Sequence, residues 1–178
     1  MDFTEKTVSK NYIYKGKILS LRRDDALLPD GKPCVREIVE HCAGAAVLYV
    51  ADGKIAFVRQ FRYAYGETIT EIPAGKVEAG EEPIAAAFRE LKEESGVVPE
   101  TMELLQIVYP STGYTDEQIF VFLARGGRTE NPTPDEGEFL SLAWIDEKKA
   151  KNMLMSGEFR DAKTAIALYA YFLRNDNL

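Results

Sequence analysis

The chain opens with residues that alternate between apolar and polar, the period of strands with one face packed and one exposed. Strands are predicted over 11–14, 17–28 and 34–41, with Pro29-Asp30-Gly31-Lys32 supplying the turn between the last two. The pattern then changes. Residues 44–50 form a nearly continuous apolar run, as expected of a strand buried on both faces. Asp52-Gly53 is a hairpin signal leading into a strand at 54–60, and a short strand at 68–72 runs into Pro73-Ala74-Gly75. A helix is predicted next, from Pro83 in its first turn to Gly96 just past its end. Further strands are expected at 102–109, 118–124 and 140–145, with a loop rich in Gly, Pro and acid at 126–138. Helices at 146–155 and 161–174 close the chain, the second expected to bury Ala165, Leu168, Tyr169 and Phe172. Strands outnumber helices and the helices fall between and after them, so the class is α+β.

The helix starting at Pro83 poses an electrostatic problem. Ile84, Ala87, Phe88 and Leu91 lie on one stripe, which is expected to pack on the protein body. Glu90, Glu93 and Glu94 cluster beside it, and carboxylates three or four residues apart repel one another on a helix. Arg89 is placed to pair with Glu93 at i+4. The residues alone allow two readings: a solvated acidic face, or a cradle for a hard cation that takes oxygen ligands.

Composition narrows the partners. With 178 residues, 46% of them hydrophobic, the chain suits one domain with a sizeable core. The net charge of −7 argues against a general nucleic-acid-binding face, which needs clustered Lys and Arg. No apolar run approaches the roughly 20 residues of a membrane span, and the first residues lack a signal-peptide core, so no membrane association and a cytoplasmic location are expected. Cys34 and Cys42 are too few for a disulfide framework, and free thiols are expected. The single histidine, His41, excludes a histidine-cluster metal site and reads as structural.

The spacing from Gly75 to Val97 is more specific than its charge. Gly75 is followed after five residues by Glu81, and after seven more by Arg89-Glu90-Leu91-Lys92-Glu93-Glu94-Ser95-Gly96-Val97. Position for position this resembles the Nudix box, and Glu71-Ile72-Pro73-Ala74-Gly75 before it resembles the ADP-ribose pyrophosphatase branch of the Nudix hydrolases. The resemblance implies a mixed β-sheet sandwiched between helices. It also implies an N-terminal antiparallel β extension (1–42) that serves dimerisation and substrate recognition, ahead of a Nudix domain at 43–178. The reaction implied is Mg²⁺-dependent hydrolysis of a nucleoside diphosphate linked to another group, with Mn²⁺ as a substitute. A homodimer formed through the N-terminal strands is also implied.

Site residues follow from the same resemblance. Ala74 through its carbonyl, Glu90, Glu93 and Glu94 are implied as metal ligands, with Glu93 and Glu94 also counted as catalytic. Arg89 is implied to orient the glutamates. In the 126–138 loop, Glu136 matches the family's catalytic base and Glu138 is the alternative. Arg62 is implied to touch the pyrophosphate or the terminal ribose, its fork suiting phosphate oxygens. Arg36 and Glu37 are implied at the adenine end. Thr112 and Gly113 fall in Ser111-Thr112-Gly113-Tyr114, where the branch usually carries Ser-Pro-Gly-aromatic, so Thr112 replaces the proline that marks specificity. ADP-ribose, cleaved to AMP and ribose 5-phosphate, is the expected substrate. The alternatives are a broader nucleoside diphosphate sugar, such as GDP-mannose or ADP-glucose, and a non-catalytic nucleotide-sensing module, which typically degrades its box.

Overall fold

The computed structural model describes residues 2–135 and 137–175, and within them the chain forms two compact units. The first is made of the chain up to Cys42 together with Tyr109–Gln118; the second holds Ala43–Val108 and Ile119 onward.

The first unit is a three-stranded antiparallel sheet of β1 (Lys6–Lys15), β2 (Leu19–Leu27) and β3 (Pro33–His41), in that order. The predicted turn at 29–32 joins β2 to β3: Gly31 has φ 82°, and Leu28 and Lys32 close the turn through a backbone hydrogen bond of 2.8 Å. β1 is longer than alternation alone implies and is exposed along almost its whole length. The Tyr109–Gln118 segment lies along β3. Val39 N–H donates to Tyr114 O (2.7 Å), and His41 N–H donates to Asp116 Oδ1 (3.1 Å). His41 Nδ1 sits 2.7 Å from Cys42 O and 3.4 Å from Glu117, a local structural role, and both cysteines are free thiols.

In the second unit the long sheet runs β12 (Leu140–Asp146), β5 (Lys54–Arg62), β4 (Gly44–Ala51), β10 (Ile119–Arg125), β9 (Thr101–Val108). β6 (Glu67–Glu71) pairs with β5, and β7 (Ala74–Lys76) pairs with β4. β10 is parallel to β4 and the other pairings are antiparallel, so the sheet is mixed. The Asp52-Gly53 hairpin turn has positive φ at both residues, 50° and 70°.

The apolar run in β4 explains the layering. Ala46, Leu48 and Val50 face one core, shared with Ala150 and Leu154 of α2 (Glu147–Met155) and with Ala167, Leu168, Tyr171 and Phe172 of α3 (Ala162–Asn175). Ala45, Val47 and Tyr49 face the other, shared with Ala86, Ala87 and Leu91 of α1 (Pro83–Ser95). Because side chains alternate across a strand, one fully apolar strand feeds both cores, and the sheet is sandwiched between α1 and the α2–α3 pair. Among the described residues no helix is long and apolar enough to cross a membrane.

Two helix faces differ from expectation. In α3, Leu168 and Phe172 are buried, but Tyr169 is exposed; the buried stripe is centred on Thr164, Leu168 and Tyr171. In α1 the difference matters more. Ile84 and Phe88 are 42% and 37% exposed, while Ala86, Ala87, Glu90, Leu91, Glu94 and Ser95 are buried. The helix is rolled so that two glutamates face inward, which an amphipathic pattern built on apolar residues cannot anticipate. Three short strands lie where no strand is expected: β7, β8 (Val97–Val98) and β11 (Arg128–Thr129), the last inside the predicted loop and paired with β8.

Candidate active site

The second unit gathers Arg62, Ala74, Glu90, Glu93, Glu94 and Glu138; Arg36, Glu37, Thr112 and Gly113 belong to the first unit. Glu136 lies outside the described residues.

α1 ends at Gly96, whose φ of 73° lets its N–H reach Lys92 O at 2.8 Å. The loop that follows β11 docks on this end: Glu130 N–H donates to Gly96 O (2.7 Å) and Thr133 N–H to Glu93 O (2.8 Å). This docking carries Glu138 to where its charge is felt by both Glu90 and Glu94.

Glu94 is buried against β7, its Oε2 accepting the Ala74 N–H at 3.0 Å. Burial pushes its carboxyl up to about 8, against the pull of the Ala74 N–H, and the negative charges of Glu90 and Glu138 add to the rise. Glu90 is raised as well, first by burial and further by Glu93 and Glu138, with Arg89 opposing. Gly75 leaves room for Glu90: a Cβ there would sit 2.0 Å from Glu90 Oε1, so a larger residue would displace that carboxylate. The glycine that opens the spacing motif therefore makes room for its first helix carboxylate.

Arg89 ties the motif together. Its guanidinium reaches Glu81 through Nε and Nη2 (both 3.1 Å), Glu90 Oε1 and Glu93 Oε2 through Nη1 (2.7 and 3.1 Å), and Lys76 O through Nη2 (2.9 Å). The predicted i+4 pair with Glu93 is one strand of this web. Glu81 Oε2 also accepts Glu78 N–H at 3.0 Å, which fixes the loop before α1.

The donor chemistry suits a divalent cation. The carboxylates of Glu90, Glu93 and Glu94 and the carbonyl of Ala74 in β7 are hard oxygen donors, and burial and mutual repulsion disfavour the charged form of Glu90 and Glu94 unless positive charge is supplied. Among the described residues no three acidic, histidine or cysteine side chains have their donors drawn to one point. Instead Glu90 and Glu93 are held by Arg89, and Glu94 by the Ala74 N–H.

Arg62, at the end of β5, grips the buried Glu71 with a fork: Nε to Oε1 at 2.6 Å and Nη2 to Oε2 at 2.9 Å. Lys163 of α3 also donates to Glu71 Oε2, a partner that no local spacing signals because it comes from the far end of the chain. In the first unit Arg36 pairs with Glu5 and both it and Glu37 are exposed, as are Thr112 and Gly113. A recess of about 530 Å³ elsewhere in the second unit is lined by Tyr49, Asp52, Lys54, Arg128 and Trp144, none of them a predicted site residue.

Comparison with known proteins converges on one family. Residues 40–167 match the NUDIX domain, and residues 5–39 match the nucleoside diphosphate sugar hydrolase N-terminal domain. The chain is 44% identical to an ADP-ribose pyrophosphatase of Bacillus subtilis, over 92% of this chain and 90% of that protein. It is 39% identical to a methanol dehydrogenase activator of Bacillus methanolicus, over 93% and 91%. The crystal structure of an ADP compounds hydrolase superposes with a TM-score of 0.88 over 99% of this chain and 97% of that one; at 17% identity it speaks for the fold alone. The glutamates packed against Gly75, the Arg89 web and the domain match together place this chain in the Nudix hydrolase family.

Proposed function

We propose that this Nudix hydrolase cleaves the pyrophosphate of ADP-ribose, with Mg²⁺ as its cation and Mn²⁺ as a substitute, giving AMP and ribose 5-phosphate. The observation that carries the reading is the buried Glu90–Glu94 pair facing Ala74 and Gly75 of β7, with the charge of Glu138 felt by both carboxylates. The likeness to the Bacillus subtilis ADP-ribose pyrophosphatase supports the substrate.

In this reading Glu90, Glu93, Glu94 and the Ala74 carbonyl hold the cation, which when bound neutralises phosphate charge and acidifies the attacking water. The chain's own work is positioning and proton transfer, which phosphoryl chemistry chiefly needs. Arg89 keeps Glu90 and Glu93 aimed at the site. Arg62 presents its guanidinium to the pyrophosphate oxygens, and Glu138 or Glu136 takes the water proton. Arg36 and Glu37 hold the adenine end, and Thr112 and Gly113 face the sugar. The N-terminal strands form a homodimer, a reading supported by the exposed Val8, Ile13 and Tyr14 on the edge strand β1. A cytoplasmic location completes the proposal.

A second reading keeps the chemistry and widens the substrate to other nucleoside diphosphate sugars; Thr112, in place of the branch's proline, favours it. The test is a hydrolysis panel of ADP-ribose, ADP-glucose, GDP-mannose, NADH and an oxidised dGTP with Mg²⁺, products separated by chromatography. Preferential release of AMP from ADP-ribose is expected. Equal turnover of the sugars supports the second reading, and activity on the triphosphate alone overturns both. Glu94→Gln is expected to lower kcat by roughly a hundredfold or more with the fold intact; near-normal turnover at saturating Mg²⁺ removes Glu94 from the cation site.

A further inference from the structure

A row of charges runs from Arg62 through the sheet to the first turn of α3. Glu71 is 2% exposed, yet it carries a charge, and both of its oxygens are engaged. Oε1 accepts from Arg62 Nε, while Oε2 accepts from both Arg62 Nη2 and Lys163 Nζ. Lys163 also pairs with Asp161 Oδ1 at 3.0 Å. Asp161 Oδ2 accepts the Thr164 N–H (3.0 Å) and hydroxyl (2.6 Å), and the Thr164 Oγ1 accepts the Ile72 N–H at 2.9 Å. Two cations and two carboxylates alternate along this row, so no charge in it is left uncompensated. That balance is what a buried ionic network requires.

The network constrains the site at two points. A carboxylate held on one oxygen can swing, whereas one held on both presents a fixed fork to its partner. Arg62 itself grips both Glu71 oxygens, but such a pair can still swing as a unit; Lys163, reaching Oε2 from α3, anchors that unit to the helix and so fixes how the Arg62 guanidinium faces. Among the described residues Arg62 Nη1 has no hydrogen bond, so the edge left over from the Glu71 fork is the one that can meet an anionic oxygen. Thr164 meanwhile ties down Ile72, two residues before Ala74.

We infer that Lys163 is a positioning residue for phosphate binding, acting through Glu71 to hold the Arg62 guanidinium in the orientation that receives the substrate's pyrophosphate. The inference rests on the reading of Arg62 given under Proposed function. It adds to the Nudix site a side chain from α3, more than 60 residues beyond the box in sequence. Lys163 itself touches no reacting atom.

Two measurements test it. In ADP-ribose hydrolysis with Mg²⁺, Lys163→Met raises KM about tenfold while kcat stays within about threefold, and Lys163→Arg recovers most of the loss. In an Arg62→Ala background, adding Lys163→Met changes kcat/KM by less than about twofold, because the group through which it acts is already gone. An unchanged KM in the single variant, or an equal loss in both backgrounds, overturns the proposal. The second measurement needs no substrate. The Arg62 Nε–H resonance, identified by its disappearance in Arg62→Lys, exchanges with water about tenfold faster in Lys163→Met than in the wild type. Unchanged exchange overturns the proposal whatever the enzyme hydrolyses. Should Lys163→Met lose its native spectrum, Lys163→Gln is read by the same criteria. If the exchange result holds but the wild type does not turn over ADP-ribose, the substrate reading falls and the Lys163–Glu71–Arg62 coupling stands.

Discussion

Glu94 concentrates the electrostatics of the site in one side chain. Its folded-state carboxyl titrates at about 8 against an ordinary value of 4.5, chiefly because it is buried. Between those two values the folded protein holds a proton that the unfolded chain has released. Stability therefore falls as pH rises through this window. A bound divalent cation reverses the balance, since it pairs with the deprotonated form and makes its burial favourable. The cation-free protein, kept in a chelator, is expected to melt at progressively lower temperature from about pH 5 to pH 8, and saturating Mg²⁺ to reduce that decline. Glu94→Gln is expected to reduce it without the metal. Calorimetry across the pH range reads all three; a flat profile for the cation-free wild type contradicts a raised Glu94. The spacing of the glutamates was legible in the sequence, and so was Arg89 beside them. Their burial was not, because depth depends on how α1 is rolled against the sheet.

At the scale of elements, the sequence spoke most clearly where a local rule has one solution. Asp52-Gly53 had to turn, 44–50 had to be a doubly buried strand, and Pro83 and Gly96 had to bracket a helix; all of these are found. It spoke least where a partner is remote. β8 and β11 are two residues each and exist because they pair with each other across some 30 residues, and no periodicity marks strands so short. The roll of α1 was unreadable for a related reason: Ile84 and Phe88 carry the stronger hydrophobic signal, yet Glu90 and Glu94 are the residues turned inward. Gly96 then has two duties. It takes a left-handed φ of 73°, and a Cβ there would lie 2.1 Å from Glu130 O in the docked loop. Gly96→Ala is thus expected to cost about 2 kcal/mol or more, since left-handed strain and a backbone clash combine. It should also lower activity beyond its effect on stability, because Glu130 and Thr133 anchor the loop that carries Glu138. Urea unfolding gives the first quantity and turnover at low temperature the second; a variant with wild-type midpoint and rate refutes both.

Over the whole molecule, the chain enters its first unit twice. A sequence reading draws one boundary near residue 42, because composition and periodicity change there; the return of Tyr109–Gln118 has no such signature. What places that segment is a set of single hydrogen bonds to β3: Val39 N–H to Tyr114 O, Asp116 N–H to Val39 O, and His41 N–H to Asp116 Oδ1. Thr112 and Gly113, proposed to face the sugar, ride on this segment and are themselves exposed. In that proposal substrate preference depends on how firmly the segment is held as well as on Thr112. Asp116→Ala removes the acceptor of the His41 N–H, worth about 1 kcal/mol for an exposed bond of this kind. Amide exchange across 110–117 is expected to rise severalfold. KM for ADP-ribose is expected to rise by a similar factor with kcat nearly unchanged, since none of the glutamates proposed to hold the cation is moved. Asp116→Asn keeps an oxygen in place to accept the same N–H and is expected to restore both quantities. If Asp116→Ala quickens exchange but leaves KM as it was, the segment is a structural strap and the sugar is recognised elsewhere. If exchange itself does not change, the Val39 hydrogen bonds and the His41–Glu117 contact hold the segment without the Asp116 side chain.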